Sequence, residues 1–122
     1  MSFDWVQYLG LAQELFEQAS TSPLKDADLR SSISRAYYAA FHRARSRLYE
    51  KWGISLPTDA TAHIEIRREL RLRGQQRIVV ILNRMRVDRN KADYDDFITN
   101  LTFTAQENLR RAKQVIAELR SL

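Results

Sequence analysis

RSSISRAYYAAFHRARSRLYEKWG, running from Arg30 to Gly53, is the stretch whose reading decides the fold. Ile33, Ala36, Tyr37, Ala40, Phe41, Ala44, Leu48 and Trp52 recur at spacings of three and four, and at about 100° per residue they fall within an arc of roughly 160°. The spacing predicts a long helix with a broad core face. Tyr38, His42, Arg45 and Tyr49 repeat at four, three and four, so the same helix carries a second stripe, aromatic and polar. One face is expected to meet the helices of its own chain. The other is expected to meet a second chain or a ligand cleft.

Length and composition bound what surrounds this helix. A chain of 122 residues fits one domain, and residues 1–122 are read as a single helical domain able to bury a core without staples. The chain has no cysteine, which excludes disulfides, thiolate metal ligands and cysteine nucleophiles. No apolar run approaches the roughly 18 residues of a membrane span, and Met1-Ser2-Phe3-Asp4 lacks the charged-then-apolar order of a signal peptide. A soluble cytoplasmic protein without membrane association is expected. With three Gly and two Pro against abundant Leu, Ala, Arg, Glu and Gln, helix is favoured nearly throughout.

Outward from the organising helix, Asp4 is an expected N-cap for a first helix carrying Trp5, Leu9, Ala12, Phe16 and Ala19 at helical spacing. That helix ends in the Ser20-Thr21-Ser22-Pro23 turn, where Ser22 and Pro23 suit the start of the next. Gly53 suits a C′ residue before the extended Ile54-Ser55-Leu56-Pro57 link. Beyond Thr58, Ile64, Ile66, Leu70 and Leu72 nearly alternate, and a β-branched run Ile78-Val79-Val80-Ile81 follows Gly74. A hairpin turning at Arg73-Gly74 is therefore an alternative. Two helices are preferred, because Arg, Glu and Leu are strong helix formers and Ile78, Leu82, Met85 and Arg89 continue the helical spacing. Thr104 with Glu107 reads as a capping box for a last helix with Ala105, Leu109, Ala112, Ile116 and Leu119 as its apolar stripe. The architecture is all-α: an antiparallel up-and-down bundle of four long helices plus one shorter.

The net charge of +5 is localised. Between Asp59 and Lys91 there are nine Lys or Arg against four Asp or Glu, and the rest of the chain carries eleven of each. Sixteen of the twenty basic residues are Arg, whose planar fork grips phosphate and stacks on bases. Arg67, Arg71 and Arg86 are thus candidate nucleic-acid contacts, against the plainer reading of a solvated face paired to Glu65 and Glu69. The chemistry is expected around Arg89-Asn90-Lys91-Ala92-Asp93-Tyr94. Arg89 falls in line with the apolar Met85, Leu82 and Ile78, and a guanidinium facing inward must be paired. Asp93, one turn on, is its nearest partner, and the alternative partner is a bound phosphate.

The run Ala36-Tyr37-Tyr38-Ala39-Ala40-Phe41-His42, followed by Arg89-Asn90-Lys91-Ala92-Asp93-Tyr94, resembles the HEPN superfamily, in particular its small single-domain prokaryotic members. The resemblance implies an up-and-down helical bundle forming a symmetric homodimer, with an active cleft where the subunits meet. It implies a toxin-like, metal-independent ribonuclease partnered by a minimal nucleotidyltransferase acting as antitoxin. The family motif is an Arg, a polar residue, then a His four to six positions after the Arg; in the toxin subgroup a following Tyr can be adenylylated. Carried over, the Arg is Arg89 and the polar residue Asn90, but Asp93 and Tyr94 stand where the His would be. Asp, with a reference pKa of about 3.9, is a poor proton donor and repels phosphate.

The catalytic candidates are therefore Arg89, Asn90 and Asp93, with His42 and Tyr38 as catalytic or interface residues and Tyr94 as a site of modification or a core aromatic. His63 reads as a cap or surface residue. Neither histidine has a partner at metal-ligand spacing, so no metal and no cofactor are expected. Two functions follow: a ribonuclease impaired by the missing His, or a non-catalytic dimer binding RNA, a nucleotide or its nucleotidyltransferase partner. A helical scaffold with Arg for solubility is the third, plainer reading.

Overall fold

The computed structural model describes residues 3–122. Five α-helices follow one another: α1 (Gln7–Gln18), α2 (Lys25–Trp52), α3 (Ala62–Leu72), α4 (Gln76–Tyr94) and α5 (Leu101–Arg120), with a 3-10 turn at Ala19–Thr21. Among the described residues there is no strand, and α2 packs against all four other helices. This is the all-helical bundle that the stripes predict. The core face of α2 buries Ala36, Tyr37, Ala40, Phe41, Ala44 and Leu48 against Ile66 and Leu70 of α3, Ile78, Leu82 and Met85 of α4, and Leu109, Ala112, Val115 and Leu119 of α5. The alanines of α2 leave room for close approach of its neighbours, so one helix can serve as the axis for four.

Helix ends account for several features of the sequence. Gly53 adopts φ 68°, and its N–H donates to Tyr49 while Ile54 N–H donates to Leu48, a Schellman closure that a side chain with a Cβ would strain. The other starts differ from expectation. The N–H of Val6 donates to Asp4 Oδ1 at 3.1 Å and that of Leu24 to Ser22 Oγ at 3.0 Å, so both side chains order the turn before a helix rather than its N-cap. The capping box at Thr104 and Glu107 does not form. Helix α5 starts four residues earlier, after Asn100 at φ 55°, and Glu107 is held by Arg110 through two contacts of 3.1 Å.

The hairpin alternative gives way to α3 and α4, which meet at Arg73-Gly74 with Gly74 at φ 76°. Ala62, Ile66 and Leu70, four apart, are buried. Ile64 and Leu72, which made the segment alternate, point outward. The C-terminal end of α4 is fixed by a residue the sequence did not single out. Arg30 of α2 donates to the carbonyls of Ala92 at 3.0 Å, Asp95 at 2.5 Å and Asp96 at 3.1 Å, supplying a cation where the helix leaves acceptors open.

Among the described residues, no helix is long and apolar enough to cross a membrane.

Candidate functional site

The second stripe of α2, the start of α3 and the C-terminal half of α4 enclose an open cleft of about 620 Å3. Helix α2 contributes Tyr38, His42 and Arg45, α3 contributes His63 and Arg67, and α4 contributes Arg86, Arg89, Asn90 and Tyr94. Four guanidinium groups line it against the one carboxylate of Asp59, which is itself occupied by the backbone and hydroxyl of Thr61.

Pairing elsewhere explains why the positive charge collects here. Arg68 pairs with Glu65 at 3.4 Å and Arg73 with Glu69 at 2.6 Å, so both acids of α3 are engaged outside the cleft. Arg77 reaches Glu118, and Arg111 reaches Asp88 at 3.1 Å. Arg67 is left beside Arg86, and desolvation together with that like charge lowers its pKa. Arg71, expected to bind nucleic acid, is exposed and lies outside the cleft lining.

Arg89 is largely enclosed, its side chain 12% exposed. Its Nη1 lies 3.5 Å from Asp93 Oδ2, and Ser34 Oγ is 3.5 Å from the same oxygen. The guanidinium sits 5.5 Å from the ring centre of Tyr37 and 5.4 Å from that of Tyr38, a cation–π seat that fixes its direction. Among the described residues, the buried Nε of Arg89 and that of Arg86 meet no acceptor. A guanidinium that is enclosed, aimed and only partly satisfied has hydrogen-bonding capacity left for an anion.

His63 requires a correction. It lies in the cleft rather than on the outer surface, its ring 4.4 Å from Phe41 and stacked on Tyr37 at 14°. Tyr37 Oη and His63 Nδ1 are 2.5 Å apart. Burial pushes the Tyr37 phenol far above its ordinary value, so it stays protonated. Among the described residues that hydroxyl has no acceptor other than His63 Nδ1, so the tautomer assigned is the one in which Tyr37 donates and Nδ1 accepts. The ring proton then resides on Nε2, on the side away from Tyr37. Burial first, then Arg89, Arg67 and Arg86, hold the His63 pKa below its usual value. The ring is a neutral donor in a field of cations.

His42 stacks on Trp5 with ring centres 3.6 Å apart and planes at 16°. Burial, with Arg45, His63 and Arg35, lowers its pKa to about 4. Both imidazoles are consequently neutral at pH 7, and His42 is a weak base because its conjugate acid is so disfavoured. Tyr38 forms a wall of the cleft, while Tyr94 is exposed at its mouth beside Ile64. Of the residues expected at the site, Arg89, Asn90, His42, Tyr38, Tyr94, Arg67 and Arg86 line the cleft, Asp93 adjoins it through its contact with Arg89, and Arg71 lies outside it. His63 and Arg67, four apart on α3, share a face, and that spacing was the one signal in the sequence that could have placed His63 here. Among the described residues, no group of three or more His, Asp or Glu side chains is arranged to hold a metal ion.

Comparison with known proteins agrees with this architecture. No curated protein and no solved structure matches the chain. The family model described as the HEPN domain matches residues 7–122, from the first turn of α1 to the C-terminus. With that match spanning every helix that builds the cleft, the chain belongs to the HEPN family.

Proposed function

We propose that this protein binds RNA, or a nucleotide, by its phosphate groups in the cleft between α2, α3 and α4. The observation that carries this reading is the convergence of Arg67, Arg86 and Arg89 with Asp93 as the one carboxylate paired to them, leaving two buried Nε–H donors without acceptors. Arginine forks in a partly water-excluded cleft suit phosphate oxygens. Binding is favoured over cleavage by the state of the imidazoles. His42 has a pKa of about 4, far from the value at which a general base works well near pH 7. His63 offers a proton on Nε2 rather than a lone pair, which suits holding a phosphate oxygen.

The ribonuclease reading has one physical argument of its own. An anion bound among the arginines would offset the cationic charge that, after burial, lowers both imidazoles, and so raise their pKa. In that reading the protein acts as a toxin-like, metal-independent endoribonuclease, with Arg89 and its neighbours stabilising the phosphorane charge. The family likeness also supports a homodimer meeting at the cleft mouth, where Ile64 and Tyr94 are 60% and 78% exposed, and a nucleotidyltransferase partner.

The test is incubation of purified protein with tRNA and total RNA, with and without chelator, beside Arg89→Ala. Binding by the parent and its loss in a folded Arg89→Ala variant is the expected result, and chelator-resistant cleavage would favour the ribonuclease reading. Equal RNA binding by both proteins would assign Arg89 to structure alone. Sedimentation at tens of micromolar, where a dimer is expected, tests the assembly.

A further inference from the structure

A second cleft, of about 530 Å3, opens beside the first and shares His42 and Arg45 with it. Its chemistry is different. Arg43 and Arg45 are matched by Asp4 and Glu50, so its lining is balanced in charge. Its apolar surface combines Ile54 and Leu56 with three aromatic rings: Phe3 and Tyr49 are 46% and 63% exposed, and Trp5 lies flat against His42, which lines both clefts. Nothing in the pairing of these residues closes the space. Arg43 and Arg47 hold Glu50 at 3.4 and 3.6 Å, which fixes a carboxylate on the rim without covering the rings.

A nucleotide alternates a charged phosphate with a neutral, flat base carrying both donors and acceptors on its edge. The two clefts differ in charge in the same way: both have aromatic walls, but the first sets four arginines against one carboxylate while the second has its two arginines matched by Asp4 and Glu50. We propose that the second cleft is a nucleobase subsite, in which the base of a nucleotide whose phosphate lies against Arg89 stacks on the Trp5 and Tyr49 side. This rests on the phosphate-binding reading of the first cleft and adds the position of the base. Base–aromatic stacking tolerates any of the four bases, because each has a π face. Edge groups give the preference: Glu50 and Asp4 accept from an exocyclic amine, and Arg43 and Arg45 donate to a carbonyl or ring nitrogen.

The test compares the 3′- and 5′-monophosphates of the four nucleosides with ribose 5-phosphate, which keeps sugar and phosphate but lacks a base. Dissociation constants are measured by calorimetry for the parent, Tyr49→Ala, Trp5→Leu and Arg89→Ala. At least one nucleotide is expected to bind roughly ten- to a hundredfold more tightly than ribose 5-phosphate, the range a base–aromatic stack spans. Tyr49→Ala, a change at an exposed side chain, is expected to remove most of that gain and leave ribose 5-phosphate affinity unchanged. Arg89→Ala is expected to weaken every ligand. Nucleotides binding no better than ribose 5-phosphate would overturn the base subsite while leaving phosphate binding intact. A gain that survives both Tyr49→Ala and Trp5→Leu would also overturn it. Failure of every phosphate compound to bind would overturn the reading of the first cleft, and the base subsite with it.

Discussion

Replacing Arg89 by Gln separates the structural role of this guanidinium from its proposed role in ligand binding. The stabilising contacts to be lost are an i,i+4 ion pair with Asp93, worth about 0.3–0.5 kcal/mol for a pair that solvent partly reaches, and cation–π contacts with Tyr37 and Tyr38 of about 0.5–1 kcal/mol each. Against these stand the relief of repulsion from Arg67 and Arg86 and the removal of a buried Nε–H without acceptor, worth about 1–3 kcal/mol. The terms nearly cancel, so thermal unfolding of the variant is expected within a few degrees of the parent. Ligand binding has no such compensation. Loss of a charge-assisted contact of about 1.5–3 kcal/mol weakens RNA binding by roughly ten- to 150-fold. The slope of log affinity against log salt is expected to fall by about 0.7, one phosphate contact on a single strand. The assay is fluorescence anisotropy with a labelled single-stranded RNA at several salt concentrations, beside a melting curve. A variant that unfolds, or one that keeps both the parent affinity and the parent slope, would refute the argument.

Three further outcomes are expected. Tyr37→Phe removes the donor that fixes His63, so 15N spectra should change from one tautomer to a mixture, with a stability loss of about 1–3 kcal/mol; an unchanged spectrum would mean the proton is fixed by something else. The His42 pKa is lowered to about 4 in the fold, below its unfolded value of about 6.5, so its stabilising contribution is complete above about pH 6.5. It is lost as pH falls toward 4, because the unfolded chain binds the proton first, at a cost of ~1 kcal/mol after discounting for solvent at the ring. Melting curves across that range should show the fall, and His42→Gln should flatten it. Arg30→Ala leaves three carbonyls at the end of α4 to water and should lower stability by about 1–3 kcal/mol, read by denaturant titration; an unchanged midpoint would make the clamp incidental.

The sequence made the axis of this fold easy to read because α2 buries one wide stripe, and Gly53 marks its end by the backbone geometry only glycine takes readily. It was less clear at α3, where exposed Ile64 and Leu72 produce the same alternation that a half-buried strand would. The last helix shows that a local motif loses to a better local partner: Arg110 holds Glu107, and the capping pattern at Thr104 has nothing to bind. The arginine side of the cleft was visible as an excess of charge between residues 59 and 91. Which arginines remained for a ligand was not, because that depends on the pairing of Arg68 with Glu65 and of Arg73 with Glu69. His63 was hidden for a related reason. Its partner Tyr37 is 26 residues away, and spacing along one helix carries no information about a contact between two.

The cleft takes one wall each from α2, α3 and α4, so its parts span residues 38 to 94 of the chain. During synthesis, α1 and α2, which pack on each other, are complete before the arginines of the cleft's other walls have been made. The four guanidinium groups can come together only once the chain has been made through Arg89. A chain arrested after α3 would therefore lack Arg86 and Arg89 altogether and could present no more than half of the cleft's guanidinium groups.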